Sequence, residues 1–169
     1  MYELIILLFA ICLFKKGPED LPYSLTLLKI VVAAFAVVRI LMHYRGDNLF
    51  SAALETAVEI IYIGLFSGVM LQVNRHLNRY YQVASAFFGA YALIGFIAWP
   101  VVAMLIAGPP GGLAFIVLVV ITGWFCAVTA HIVYHALAPS IIISLGWALV
   151  FLIGFVLLAM SFGHVNGIG

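Results

Sequence analysis

Apolar residues fill five long runs, at 22–43, 53–73, 83–106, 113–136 and 140–162, and the stretches between them are short. Those stretches read "HYRGDNLFSA", "NRHLNRYYQ", "GPPGG" and "ALAPS", all polar or turn-forming. Each run reaches the ~20 residues that an α-helix needs to cross a bilayer core. Helices satisfy their own backbone groups inside hydrocarbon, which makes them the natural form for such runs. The pattern predicts an all-α polytopic membrane protein whose five transmembrane helices form an up-and-down bundle, because short connections make consecutive spans neighbours. No water-exposed domain fits between them. The whole chain, 1–169, reads as one membrane domain.

A sixth apolar stretch, Tyr2–Phe14, is different. As a helix it would be about 20 Å long, too short for a core of about 30 Å. It has no polar face, so it makes a poor surface-lying amphipathic helix. The expected element is a short non-spanning helix, half-inserted or covered by protein. Gly17, Pro18 and Pro22 turn the chain back, with Pro22 opening the first span and Ser24 or Asp20 capping free N–H groups. The stretch carries Glu3 where a signal peptide has a basic leader, and Lys15 and Lys16 follow it, so it is expected to be retained. As the part least committed to the five-span core, it is also the expected docking element for a partner.

Composition agrees with the pattern. Of 169 residues, 67% are hydrophobic and 8% charged, against the roughly 25% charged residues of a soluble domain. A net charge of +1 excludes a nucleic-acid binder driven by phosphate neutralisation. Cys12 and Cys126 lie in apolar runs and read as small buried hydrophobes.

The few charges orient the bundle. The end that carries residues 15–21, here the proximal end, holds Lys15, Lys16, Arg75 and Arg79. The opposite, distal end has Arg45, with Arg39 nearby in the first span. The positive-inside rule predicts a cytoplasmic proximal end and an outward C-terminus. Tyr23, Tyr44, Tyr80, Tyr81, Trp99 and Tyr134 fall near span ends, as interface anchors do.

Ionisable residues within spans are costly and mark candidate sites. Glu55 and Glu59 stand one turn apart on the second span, at the depth of Arg39 on the first. An intramembrane ion pair of Arg39 with Glu59, or failing that Glu55, is the expected arrangement, since lone charges there would be expensive. A site where protons or ions enter, with one glutamate held protonated, is the functional alternative. A distal metal site built from His43, Asp47 and His164 is a third. At the proximal end, His131 and His135 have i, i+4 spacing and, with Lys29, form a candidate polar cluster; Lys29 alone is expected to snorkel toward headgroups.

Gly64 and Gly68 form a small-xxx-small face for close helix contact, and Pro100 should kink the third span by freeing the carbonyl of Phe96. No nucleophile elbow, P-loop, dinucleotide-binding glycine pattern, HExxH or CxxCH occurs. The sequence therefore points to no enzyme and to no cofactor.

Three stretches together, "KKGPEDLPYSLTLL", "NRHLNRYYQVASAFFGAYALIGFIAWP" and "HIVYHALAPSIIISLGWAL", resemble small proteobacterial inner-membrane proteins related to the Yip1 superfamily. The resemblance implies five spans, a cytosolic N-terminus, a lumenal or outward C-terminus, and a trafficking or scaffold role without a catalytic site. Two departures stand out: the long cytosolic N-terminal region is reduced to one apolar helix, and His135 preceded by Tyr134 occupies the place of an expected arginine. Two functions are then expected candidates. The first is a non-catalytic accessory or scaffold protein that associates laterally with itself or a larger membrane complex, among membrane lipids. The second is a small channel or carrier for protons, metal ions or lipids that uses Glu55 and Glu59.

Overall fold

The computed structural model describes residues 2–44, 49–107, 112–137 and 140–165. Six α-helices follow one another: α1 Tyr2–Cys12, α2 Leu25–His43, α3 Leu49–Val73, α4 Tyr80–Ala107, α5 Gly112–Leu137 and α6 Ile141–Val165. Short 3-10 turns lie at Pro18–Asp20 and Leu77–Arg79, and no strand occurs among the described residues. Helices α2 to α6 are each long and apolar enough to cross a bilayer. The chain is an integral membrane protein with five such helices and a short apolar one before them.

Capping chemistry decides where the first span begins. Ser24 Oγ accepts the N–H of Leu27 at 3.4 Å, so α2 starts at Leu25 and not at residue 22. Pro22 consequently lies in the connector, not in the first helical turn. Helix α3 opens at Leu49, four residues before the expected 53. Helix α4 runs on through Pro100 to Ala107.

Successive spans touch, as an up-and-down bundle requires, and α2 also packs on α4 and α3 on α6. The hub is α4, which contacts α1, α2, α3 and α5. Its sequence explains why. Ala84, Ser85, Ala86, Gly89, Ala90, Ala92, Gly95 and Ala98 are all buried, so backbones can approach from several sides.

Helix α1 is one of the elements that use this space. Leu8, Ile11 and Cys12 are buried against α4 and α5. A Cβ on Gly89 would collide with Leu8 Cδ2, so glycine here gives the Leu8 side chain its seat against α4. Cys12 Sγ reaches the carbonyl of Ala90, and Trp124 Nε1 donates to the carbonyl of Cys12 at 2.9 Å. That indole satisfies a helix-end carbonyl that lipid would leave bare. The expected protein cover for α1 is thus this bundle itself. The expectation that α1 is the element least committed to the core is corrected: its inner face is part of the core.

Burial pushes the Cys12 thiol up to about 11. The thiolate is the reactive form, so Cys12 is expected to resist maleimide in the folded protein at pH 7.5 and to react once the chain is denatured. Rapid labelling of the folded protein at Cys12 would contradict this packing.

Two helix ends at the proximal end close without glycine. Phe14 has φ 61° and Arg75 has φ 60°. Around each, the backbone makes a paired set of bonds: Lys15 N to Ala10 O with Phe14 N to Ile11 O, and His76 N to Leu71 O with Arg75 N to Gln72 O. This is the Schellman closure, whose left-handed position glycine fills without penalty. Arg75→Gly is expected to stabilise the protein by about 0.5–1 kcal/mol, read as a higher melting temperature in micelles. Phe14→Gly should gain less, because the Phe14 ring also stands edge-on to His131 at 5.3 Å.

Candidate functional site

Arg39 and His43 occupy one face of α2 a turn apart, and Glu55 and Glu59 occupy the facing side of α3. The helices run antiparallel, so the register sets 39 against 59 and 43 against 55. Arg39 grips Glu59 through two parallel contacts, Nε to Oε2 and Nη2 to Oε1. Glu59 is 2% exposed and Arg39 14%, so this is a buried pair. His43 ties the two acids together, with Nε2 at 3.2 Å from Glu59 Oε1 and Nδ1 at 2.9 Å from Glu55 Oε2. Ser51 Oγ donates to Glu55 Oε1 at 3.3 Å, and the Arg39 guanidinium lies 5.3 Å from the Phe155 ring centre.

Both ring nitrogens of His43 face carboxylate oxygens. A neutral imidazole has one N–H, so the arrangement requires either an imidazolium or one protonated carboxyl. With Arg39 positive, the charges of these four side chains sum to zero in both cases. Neutrality is what a low-dielectric interior favours.

Of the third candidate, a metal site, only the His43 side chain is described. Its His43 is committed to Glu55 and Glu59, while Asp47 and the side chain of His164 lie outside the described residues. Among the described residues no three His, Cys, Asp or Glu side chains form a group suited to a metal ion.

At the proximal end the polar cluster has a different membership from the expected one. His135 Nδ1 lies 2.8 Å from Glu19 Oε1, and His131 Nε2 lies 2.9 Å from the carbonyl of Lys16. The two imidazoles are 4.5 Å apart between ring centres. Lys29 does not join them: it is exposed on α2 and makes no ion pair among the described residues. The cluster instead fastens the 15–24 connector to α5, helped by Gln82 Nε2 donating to Leu21 O and by the Tyr23–Tyr81 ring contact. Asp20 accepts from the N–H of Gly17, so it caps the 3-10 turn rather than α2.

The glycines also have an outcome of their own. Gly64 and Gly68 make room for the Tyr80 side chain, whose hydroxyl donates to the Gly64 carbonyl at 3.3 Å, instead of for a neighbouring helix backbone. Closer approaches from a neighbouring helix lie elsewhere, at Gly89 under Leu8 and at Gly154 under the Tyr62 hydroxyl.

Between the two polar clusters the bundle is filled with rings. Phe151 is fully buried and has Tyr62, Phe66, Phe87, Tyr91, Phe125 and Phe155 around it, at ring-centre distances from 4.8 to 6.3 Å. Two hydroxyls near this level are turned back on their own helices, Ser67 onto Ile63 O and Thr129 onto Phe125 O, while the buried Ser85 Oγ has no partner among the described residues. Tyr91 bonds Thr129 at 2.9 Å, and Tyr62 bonds Phe151 O at 2.9 Å. On the distal side of these rings a cavity of about 550 Å³ opens between α2, α4, α5 and α6, with Arg39 on its wall.

Compared with family models, curated proteins and solved structures, the chain matches none.

Proposed function

We propose that this chain is a non-catalytic accessory or scaffold protein that associates laterally, with itself or with a larger complex, and does not conduct ions. The aromatic packing around Phe151 carries this reading, because it separates the distal charge network from the proximal cluster. Conduction needs successive polar partners, and at the level of these rings the hydroxyls of Ser67, Thr129, Tyr91 and Tyr62 are held by helix carbonyls or by each other, which leaves the buried Ser85 Oγ as an isolated polar step and not a track among the described residues. Glu55 and Glu59, the charged steps of a channel for protons or metal ions, are held by Arg39 and His43. What is left for interaction is the lateral surface and the cavity.

The same reading extends to location. A cytoplasmic proximal end of a bacterial inner-membrane protein is supported by Lys15, Lys16, Arg75 and Arg79, since the Tyr23–Tyr81 contact brings their two turns to one end. Five spans then carry the C-terminus outward, in keeping with the resemblance to Yip1-related proteins. The test is isolation of tagged chain from native membranes in lipid nanodiscs. A reproducible stoichiometric partner or a homo-oligomer is expected. A chain recovered only as a monomer would overturn the proposal.

A further inference from the structure

The cavity beside Arg39 has the chemistry of a site for one lipid chain. Its walls come from four spans, and Thr122, Val156 and Met160 on its rim are exposed on membrane-crossing helices, so it opens toward the bilayer. Its volume falls within the ~300–1,000 Å³ of ordinary ligand sites. Its polar wall groups other than Arg39 are already bonded: the Tyr91 hydroxyl with Thr129, and Thr122 Oγ1 to Leu118 O. Such a lining selects an apolar occupant.

Arg39 supplies the exception. Nε and Nη2 are held by Glu59, but Nη1 meets only the thioether of Met42 at 3.8 Å, a weak acceptor. A guanidinium carries five N–H donors, so among the described residues at least one donor of Arg39, beside Met42 on the cavity wall, has no strong acceptor. Arg39 stands one turn before the end of α2, about 6 Å below it, near the level where acyl chains meet headgroups. The surrounding charges decide the class of acceptor. Glu59 already matches the charge of Arg39, so a carboxylate would bring a further buried negative charge, whereas a neutral ester carbonyl would not.

We propose that this cavity holds one acyl chain of a membrane phospholipid, with the chain's ester carbonyl accepting from Arg39 Nη1. The apolar tail runs from Arg39 toward Tyr91 and Phe125, where the aromatic packing ends the cavity.

The experiment uses the full chain in vesicles of phosphatidylethanolamine and phosphatidylglycerol. These are doped with a phosphatidylethanolamine that bears a diazirine near the end of one acyl chain. After irradiation, labelled residues are mapped by mass spectrometry. Bulk lipid reaches outward mid-helix residues such as Ile61 and Ile153, but not Ile94 or Ala98, which line the cavity and are otherwise buried. Label is expected on Ile94 or Ala98, and Ala159→Phe, which fills the cavity from α6, should abolish it there while leaving outward label unchanged. Leu118→Trp, filling from α5, gives an independent variant with the same expected loss. A parallel arm uses a diazirine-bearing free fatty acid. Label confined to outward residues, inner label that survives both filling variants, or inner label from the fatty acid alone would each overturn the proposal.

Discussion

Glu59→Leu is expected to cost about 3–5 kcal/mol, the loss typical of a buried ion pair deprived of one partner. The substitution leaves Arg39 largely buried, with its Nε and Nη2 facing no carboxylate. The reverse substitution should be milder. In Arg39→Met, Glu59 keeps His43 at 3.2 Å, which can hold a proton against it, so a loss of about 1–3 kcal/mol is expected. Replacing both residues removes both charges at once and should recover part of the larger loss. Unfolding of the three variants in mixed micelles by a denaturing detergent gives the comparison. Equal losses for the two single variants would mean that His43 does not share the load.

Phe151→Ala is the second large effect. Lipid is as apolar as a protein interior, so the stability of this region comes from packing and not from transfer out of water. Phe151 touches six rings and is fully buried, so truncation opens a void that its neighbours can only partly fill. A loss of about 3 kcal/mol is expected, against less than about 1.5 kcal/mol for Phe151→Leu. The hydrogen bond from Tyr62 to Phe151 uses the backbone carbonyl and survives both changes. The same unfolding measurement distinguishes them, and a negligible loss for Phe151→Ala would show that the rings are not packed as described.

The spans were legible in the sequence because twenty apolar residues in a row have few other physical outcomes. The Arg39–Glu59 contact was legible for a similar reason, since depth on adjacent spans follows from counting residues. The position of His43 was legible in principle and overlooked. It stands one turn from Arg39, as Glu55 does from Glu59, so an antiparallel turn sets one pair against the other. The role of Glu19 was not legible, because it sits in a connector whose path depends on where α1 packs. The seat of Leu8, on the inner face of α1, depends on a single missing side chain. Gly89 admits Leu8, but a lone glycine in an apolar run carries no sign of which neighbour it admits. The cavity was hidden for the same reason: its walls are ordinary apolar residues drawn from four helices.

A non-conducting protein requires that the two polar ends of the bundle be sealed from each other. Proton flux into vesicles containing the full chain, followed with an internal pH dye under an imposed pH gradient and potential, tests it most directly. The same flux as in protein-free vesicles is expected. Flux above that level that is lost in Glu59→Gln, with the protein still folded, would contradict it.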